Sequence, residues 1–323
     1  MERGLLIQSD PARDWRSMAA TAVASGYDAL WTGELWGADA FVRLAALAME
    51  YPSVQLGTGI VNVYSRSPAV LASATATVNE LSDQPVILGT GVTTPKAVED
   101  LHGGTFDRPV TRAAEALRVI HGFLSNTRSV EFEGEVYSVA DFPGLDADLP
   151  VYHAALGRKN REVVGRYADG WIPHNVPFAR LASEFEVIAD AARAADRDPA
   201  SIAVVPYVPA VVDSDPERAR AAMRRHLAYY VGSARGYERA VATQFPEQAA
   251  AIADAWRSGK RDVARAAVTD AMVEALGVAG TPETAGAQFD SLVPQDVVDH
   301  AIVVVPAGVE EPAISRTIEA LAP

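Results

Sequence analysis

The chain has 323 residues, 28 basic and 42 acidic side chains, a formal net charge of −14 and no cysteine. Disulfides, thiolate zinc sites, iron–sulfur clusters and a cysteine nucleophile are thereby excluded. The acidic balance argues against a nucleic-acid partner, and a hydrophobic content of 49% with 22% charged residues is that of a globular chain able to bury a full core.

The start, Met1-Glu2-Arg3-Gly4, leads straight into the short apolar run Leu5-Leu6-Ile7. No stretch reaches the ~18–20 apolar residues of a membrane span, and no leader pattern is visible, so a cytoplasmic protein without a membrane partner is expected. Residues 4–8 read as a first strand. A helix is expected over 11–25, with Asp10 as N-cap, Pro11 at its first position and Gly26 closing it. Strands at 28–32, 54–58 and 86–89 alternate with helices at 38–50 and 68–81. The fourth strand leads into helix from Pro95 to Leu101 and again over 109–124. Residues 130–137 change texture and read as a small hairpin over Gly134.

The alternation resumes with strands at 151–155, 170–173 and 202–212. Helices at 159–168, 178–195 and 216–230 lie between and after them. Residues from about 231 to 279 read as a mostly helical insertion. A helix at 282–292, a strand at 300–305 and a helix at 310–321 close the chain. Eight strands alternating with helices imply parallel pairing, and their apolar, β-branched centres suit strands covered on both faces. The rival is an open doubly wound sheet. Eight units in a chain of this length favour an α/β fold of the (β/α)8 TIM-barrel kind, with the insertion after strand seven and residues 1–323 as one domain.

Sites in such barrels lie on the loops that leave the C-terminal ends of the strands. Here those loops carry Gly33-Glu34-Leu35-Trp36, Gly59-Ile60-Val61-Asn62, Gly91-Val92-Thr93-Thr94, Ala155-Leu156-Gly157-Arg158-Lys159 and His174-Asn175-Val176. The fourth of these places a glycine at a helix start beside Arg158, Lys159 and Arg161. It reads either as a phosphate cradle or as an ordinary turn with solvated charges. Glu34 ends a strand and is a candidate general acid or base, or an ordinary hydrogen-bonding carboxylate. The six histidines have no metal-ligand spacing, and no dinucleotide, Walker, zincin or nucleophile-elbow motif occurs.

Taken in order, Leu56-Gly57-Thr58-Gly59-Ile60-Val61-Asn62-Val63-Tyr64-Ser65-Arg66-Ser67-Pro68 resembles the third-strand signature of the luciferase-like flavin and deazaflavin enzymes. Leu81-Ser82 with Val86-Ile87-Leu88-Gly89-Thr90-Gly91 resembles the fourth-strand signature, and Ala168-Asp169-Gly170-Trp171 the sixth-strand entry. Glu34 to Phe41, Ala154 to Asn160, and Tyr229-Tyr230-Val231-Gly232 inside the expected insertion are similar to the coenzyme F420-dependent branch. That branch is related to methylenetetrahydromethanopterin reductase.

The resemblance implies hydride transfer between F420 and a small organic substrate, with a pterin as the candidate class and a homodimer as the assembly. It implies a non-prolyl cis bond at Gly59–Ile60, with Val61 and Asn62 continuing the bulge that backs the ring. Gly91, Thr93 and Thr94 would contact the ring, with His174, Asn175 and Val176 near its edge. Ala155, Leu156, Gly157 and Arg158 would hold the phosphate, and Glu34 would be the proton donor or electrostatic stabiliser. Where several relatives carry Asp-His after strand two, this chain has Glu34-Leu35. Alternatives are an FMN-dependent monooxygenase and a flavin-binding protein without catalysis.

Overall fold

The computed structural model describes residues 1–8, 10, 13–125 and 128–323. Strand β1 (Glu2–Ile7) is followed by α1 (Trp15–Ala24), β2 (Ala29–Thr32), α2 (Ala40–Glu50), β3 (Gln55–Thr58), β4 (Val61–Asn62), α3 (Pro68–Asn79) and β5 (Leu88–Gly91). Helix α4 (Pro109–Ser125) precedes an antiparallel hairpin, β6 (Ser129–Glu133) and β7 (Ser138–Pro143). Then come β8 (Val151–Ala154), α5 (Arg158–Tyr167), β9 (Gly170–Trp171), α6 (Leu181–Arg193), β10 (Ala203–Val204) and β11 (Tyr207–Val212). Helices α7 (Pro216–Ser233), α8 (Arg235–Ala242), α9 (Pro246–Arg257), α10 (Arg261–Ala266) and α11 (Asp270–Leu276) lead to β12 (Val278–Gly280), α12 (Pro282–Leu292), β13 (His300–Val304) and α13 (Glu311–Ala320).

The strands form a closed parallel ring. β13, β1, β2 and β3 pair in that order, as do β5, β8, β9 and β10, while β11 pairs with β13. The first seam closes at Gly57 and Ile87, where the Ile87 N–H donates to Leu56 O and the Thr58 N–H to Ile87 O. The second closes where the N–H groups of Asp299 and Ile302 donate to Val204 O and Pro206 O. This is the expected (β/α)8 barrel. Trp31 plugs it at the N-terminal end. Gly4 and Gly57 lack the Cβ that would lie within 2.6 Å of that indole, and the Trp31 Nε1–H donates to His300 Nε2 at 3.1 Å. The plug continues upward through Leu6, Ile172, Tyr207 and Ile302, which make the floor of the barrel mouth.

Several boundaries differ from the sequence expectation, each for a local reason. Helix α1 is capped by Asp14, not Asp10. The Asp14 carboxylate accepts the N–H groups of Arg16 and Ser17, while the Asp10 carbonyl accepts from the Arg13 N–H. Pro11 lies outside the described residues. The return arm of the hairpin is 138–143 rather than 135–137. The Glu115 carboxylate takes the N–H groups of Glu135, Val136 and Tyr137 at 2.7–2.9 Å and holds that segment as the turn. Strand seven divides at Pro206, which has no N–H to offer.

The 231–279 segment is not wholly helical. Tyr229-Tyr230-Val231-Gly232 belongs to α7, and the segment ends in β12, which pairs with Ala210–Val212 on the side of β11 away from β13. Its helices bury a core of their own around Met223, Leu227, Ile252 and Met272. No described helix is long and apolar enough to cross a membrane.

Candidate active site

The expected site residues gather at the C-terminal mouth of the barrel. β3 ends at Thr58 and the chain steps across to β4, which pairs with β5 through Val61 and Asn62. This step is the bulge. Its Gly59–Ile60 bond is trans, because no cis peptide occurs among the described residues. The expected cis bond is thereby corrected. The change of strand partner already displaces the chain, and a non-prolyl cis bond adds a cost of about 3–4 kcal/mol.

The bulge is fixed by its neighbours. The Gly59 N–H donates to Thr32 O at 2.8 Å, and the Glu34 N–H to Ile60 O at 3.2 Å. A Cβ on Gly59 would strike the Tyr207 hydroxyl, and one on Gly91 would lie 2.8 Å from Ile60 Cγ2. Glycine at both positions therefore leaves room for the Tyr207 hydroxyl and for Ile60, which packs with Ala154 against the cluster that holds Tyr207. Asn62 does not reach over it. Its Oδ1 accepts the N–H groups of Tyr64 and Ser65, and its Nδ2 lies 3.4 Å from His102 Nε2, so its amide stabilises its own loop.

On one rim stands Glu34. Its carboxylate takes both terminal nitrogens of Arg66, at 2.6 and 2.9 Å, and accepts the Ala40 N–H at 3.0 Å. Arg66 also pairs with Asp39. Sequence spacing gave no sign of Arg66, which is 32 residues from Glu34 along the chain. After β5, Thr93 has the left-handed φ of 53°, and Thr94 leads into a one-turn π-helix, Ala97–Leu101, its carbonyl accepting the N–H groups of Ala97 and Val98. Such turns cluster at functional sites.

On the opposite rim, His174 and Asn175 are buried polar residues with unused hydrogen-bonding capacity. His174 Nε2 and both amide atoms of Asn175 have no partner, and Asn175 adopts φ 55°. Buried groups are normally satisfied, so atoms left unmatched in this way mark a place where a ligand or ordered water completes the bonding. The His174 ring lies 4.5 Å from Tyr230, 5.1 Å from Tyr207 and 5.4 Å from Tyr237. Burial, then the neighbouring His226, holds its pKa well below the usual imidazole range. His226, on α7, is pushed to about 3 by burial. Both rings are therefore neutral near pH 7. The sequence showed neither His226 nor Tyr237 as part of this group, because α7 and α8 bring them in from the far end of the chain.

Beyond Val176 lies a cavity of about 230 Å³, lined by Leu156, Gly157, Arg158, Arg161, Trp171 and Arg239 among others. Gly157 caps α5 without any side-chain bond to its first N–H groups, a form that suits an anion. Its φ of −79° is open to any residue, and a Cβ there would meet nothing within 4 Å. Fold geometry thus does not require glycine, and the space beside the helix start is open. Arg158 is exposed and reaches Glu162, Arg161 is buried against Glu184 with its Nε unmatched, and Arg239 has no ion pair among the described residues. Ala155 is buried beneath, its carbonyl accepting the Trp171 indole N–H at 2.8 Å. Gly157→Ala is expected to leave the denaturation midpoint unchanged while weakening binding of a phosphate-bearing ligand roughly tenfold, read by titration with and without the phosphate. Equal loss for both ligands would contradict the cradle.

A closed parallel barrel whose mouth carries a bulge, a buried polar rim and an open helix start has the architecture of (β/α)8 enzymes, whose sites lie at the C-terminal ends of the strands. Within it, the chain belongs to the luciferase-like monooxygenase family, which it matches over residues 2–300. It is 30% identical over 294 residues to the 5,10-methylenetetrahydromethanopterin reductase of Methanolobus tindarius, across 88% of each chain. It is 29% identical over 277 residues to the protein of the same name from Archaeoglobus fulgidus, across 80% of each. The coenzyme F420-dependent tetrahydromethanopterin reductase of Methanopyrus kandleri has the same fold, with a TM-score of 0.81 over 99% of this chain and 97% of that one at 23% identity.

Proposed function

We propose that the protein is a coenzyme F420-dependent oxidoreductase that moves a hydride between the deazaflavin and a small organic substrate, with methylene-tetrahydromethanopterin or a tetrahydrofolate-type pterin as the substrate class. The observation that carries this reading is the 30% identity to the Methanolobus reductase across 88% of both chains. The residues present fit the cofactor. The unmatched atoms of His174 and Asn175 suit a polar heterocycle edge, and the open cradle over Gly157 suits its phosphate. When bound, F420 supplies a hydride donor or acceptor at C5 of the deazaflavin.

In this reading Gly59, Ile60 and Gly91 carry the ring face, while Val61 and Asn62 lock the bulge beneath it. Thr93 and Thr94 border the ring, and Val176 separates it from the phosphate cavity, where Ala155, Leu156, Gly157 and Arg158 form the cradle. Glu34 is the proposed catalytic carboxylate. With both oxygens engaged by Arg66, it acts as a fixed negative charge at the rim rather than as a mobile proton donor. Glu34→Gln keeps the shape and removes the charge. Turnover is expected to fall about a hundredfold with cofactor affinity retained, and unchanged turnover would sink this role.

A cytoplasmic homodimer and one domain over residues 1–323 belong to the same proposal. The test is anaerobic oxidation of reduced F420 with methylene-tetrahydropterins as acceptors. Turnover with the pterin supports the reading. Oxygen uptake with reduced FMN, and none with F420, would move it to an FMN monooxygenase, the activity for which the family is named.

A further inference from the structure

We propose that the cleft between α4 and α5 receives the oligoglutamate tail of the cofactor, an inference that rests on the F420 reading above. The cleft has a volume of about 340 Å³ and an apolar floor that includes Val110, Ala114 and Val163. Three cations line it: Arg118 from α4, and Lys159 and Arg166 from α5. All three are exposed, and none makes an ion pair among the described residues. Arg118 is held in place by two rings, its guanidinium 4.8 Å from the centre of Phe132 and 5.9 Å from that of Tyr167.

The two acidic residues of the cleft are already engaged. Glu115 accepts the three N–H groups of the hairpin turn, and Glu162 accepts from Arg158 Nε at 3.3 Å. A chain of net charge −14 thus keeps three cations in one groove with only Glu115 near Arg118 to offset them, which concentrates positive potential there.

The spacing selects a chain-like anion over a compact one. Lys159 and Arg166 are seven residues apart on α5, so about 10 Å along its axis. One carboxylate cannot meet both, whereas successive carboxylates along a flexible chain can. The groove also begins where the phosphate cradle ends. Arg158 and Arg161 face the cradle, and Lys159, the residue after Arg158, opens the groove on the other side of the same helix. F420 carries γ-linked glutamates beyond its phosphate, so its tail would leave the cradle past Lys159 and descend toward Arg118 and Arg166. FMN ends at its phosphate and would leave the groove unused.

The test is a fluorescence titration at low salt with long-tailed F420 and with the tail-less analogue that ends at the phospholactyl group. The wild-type protein is expected to bind the long-tailed form about tenfold more tightly, with the advantage shrinking as salt rises. In the Arg118→Gln/Arg166→Gln double variant the advantage should vanish while affinity for the tail-less form stays. Arg166→Gln alone, an exposed change that leaves the cation–ring contacts of Arg118 intact, should lose about threefold and covers the case of a double variant that does not fold. Equal affinity of the wild type for both forms would overturn the proposal, as would a full tail advantage in both variants. Binding of neither form would overturn the F420 reading itself, which separates the two failures.

Discussion

Acidification from pH 6.5 toward pH 4 is expected to unfold the protein cooperatively. His153, His174 and His226 are buried and neutral in the fold. Burial lowers His153 to about 4 and His226 to about 3, and it holds His174 well below the ordinary value of 6.5. In the unfolded chain the same rings titrate near 6.5, so between that pH and the folded values the unfolded state binds more protons. Stability from these groups is therefore complete above pH 6.5 and is lost as pH falls, with the share of His153 exhausted near pH 4. His153 and His226 each cost a factor of about ten in the folding equilibrium per pH unit, and together about a hundred. Over two units that is about 5 kcal/mol, against a typical total stability of 5–15 kcal/mol, and His174 acts in the same direction. The check is the urea midpoint at pH 7, 6 and 5, together with His153→Gln, which should reduce the pH slope by about one proton. A midpoint flat between pH 7 and 5 would contradict the burial argument. Below about pH 4.5 Glu115 adds to the loss. Burial alone would raise its pKa, but the three turn N–H groups hold it below the usual carboxylate value.

Gly89→Ala is expected to be among the most damaging single substitutions in the chain. β5 crosses the bulge so closely that a Cβ on Gly89 would run into the carbonyl oxygens of Thr58 and Gly59, with Ile172 Cδ1 at 3.0 Å. The contact is backbone against backbone, so no side chain can turn aside to relieve it. The same strands are tied there by the Gly89 N–H to Thr58 Oγ1 at 2.7 Å and by the Thr58 hydroxyl to Gly89 O at 2.9 Å. Accommodating a methyl group would part β3 from β5 and shift Gly59 and Ile60, the proposed ring platform. A loss of about 3 kcal/mol and of cofactor binding is expected from denaturation and titration. Gly286→Ala, on α12, is the contrasting case. A Cβ there meets nothing within 4 Å, and better helix propensity should stabilise by about 0.5–1 kcal/mol. Similar melting of the two variants would refute the crowding at Gly89.

The sequence made the barrel legible wherever a strand is a run of β-branched or apolar residues, as in Leu5-Leu6-Ile7 or Ala301-Ile302-Val303-Val304. β4 and β12, of two and three residues, have no apolar run of their own, and neither was read as a strand. Asp10 and Asp14 offer equal capping chemistry, and only the bonds from Arg16 and Ser17 to the Asp14 carboxylate separate them. The loop residues of the candidate site were readable because they follow strands. The groups that complete it were not. Arg66, His226, Tyr237 and Arg239 reach the mouth through tertiary packing from separate elements, and no local pattern announces that. Gly157 is the instructive middle case. The residue was visible, but only the structure shows that neither φ nor packing demands a glycine there.

The most direct measurement is a fluorescence titration of the purified apo-protein with oxidised F420 and with FMN, at low and high salt. The account predicts tight, salt-sensitive F420 binding and much weaker FMN binding. Preference for FMN, or binding of neither, would contradict it.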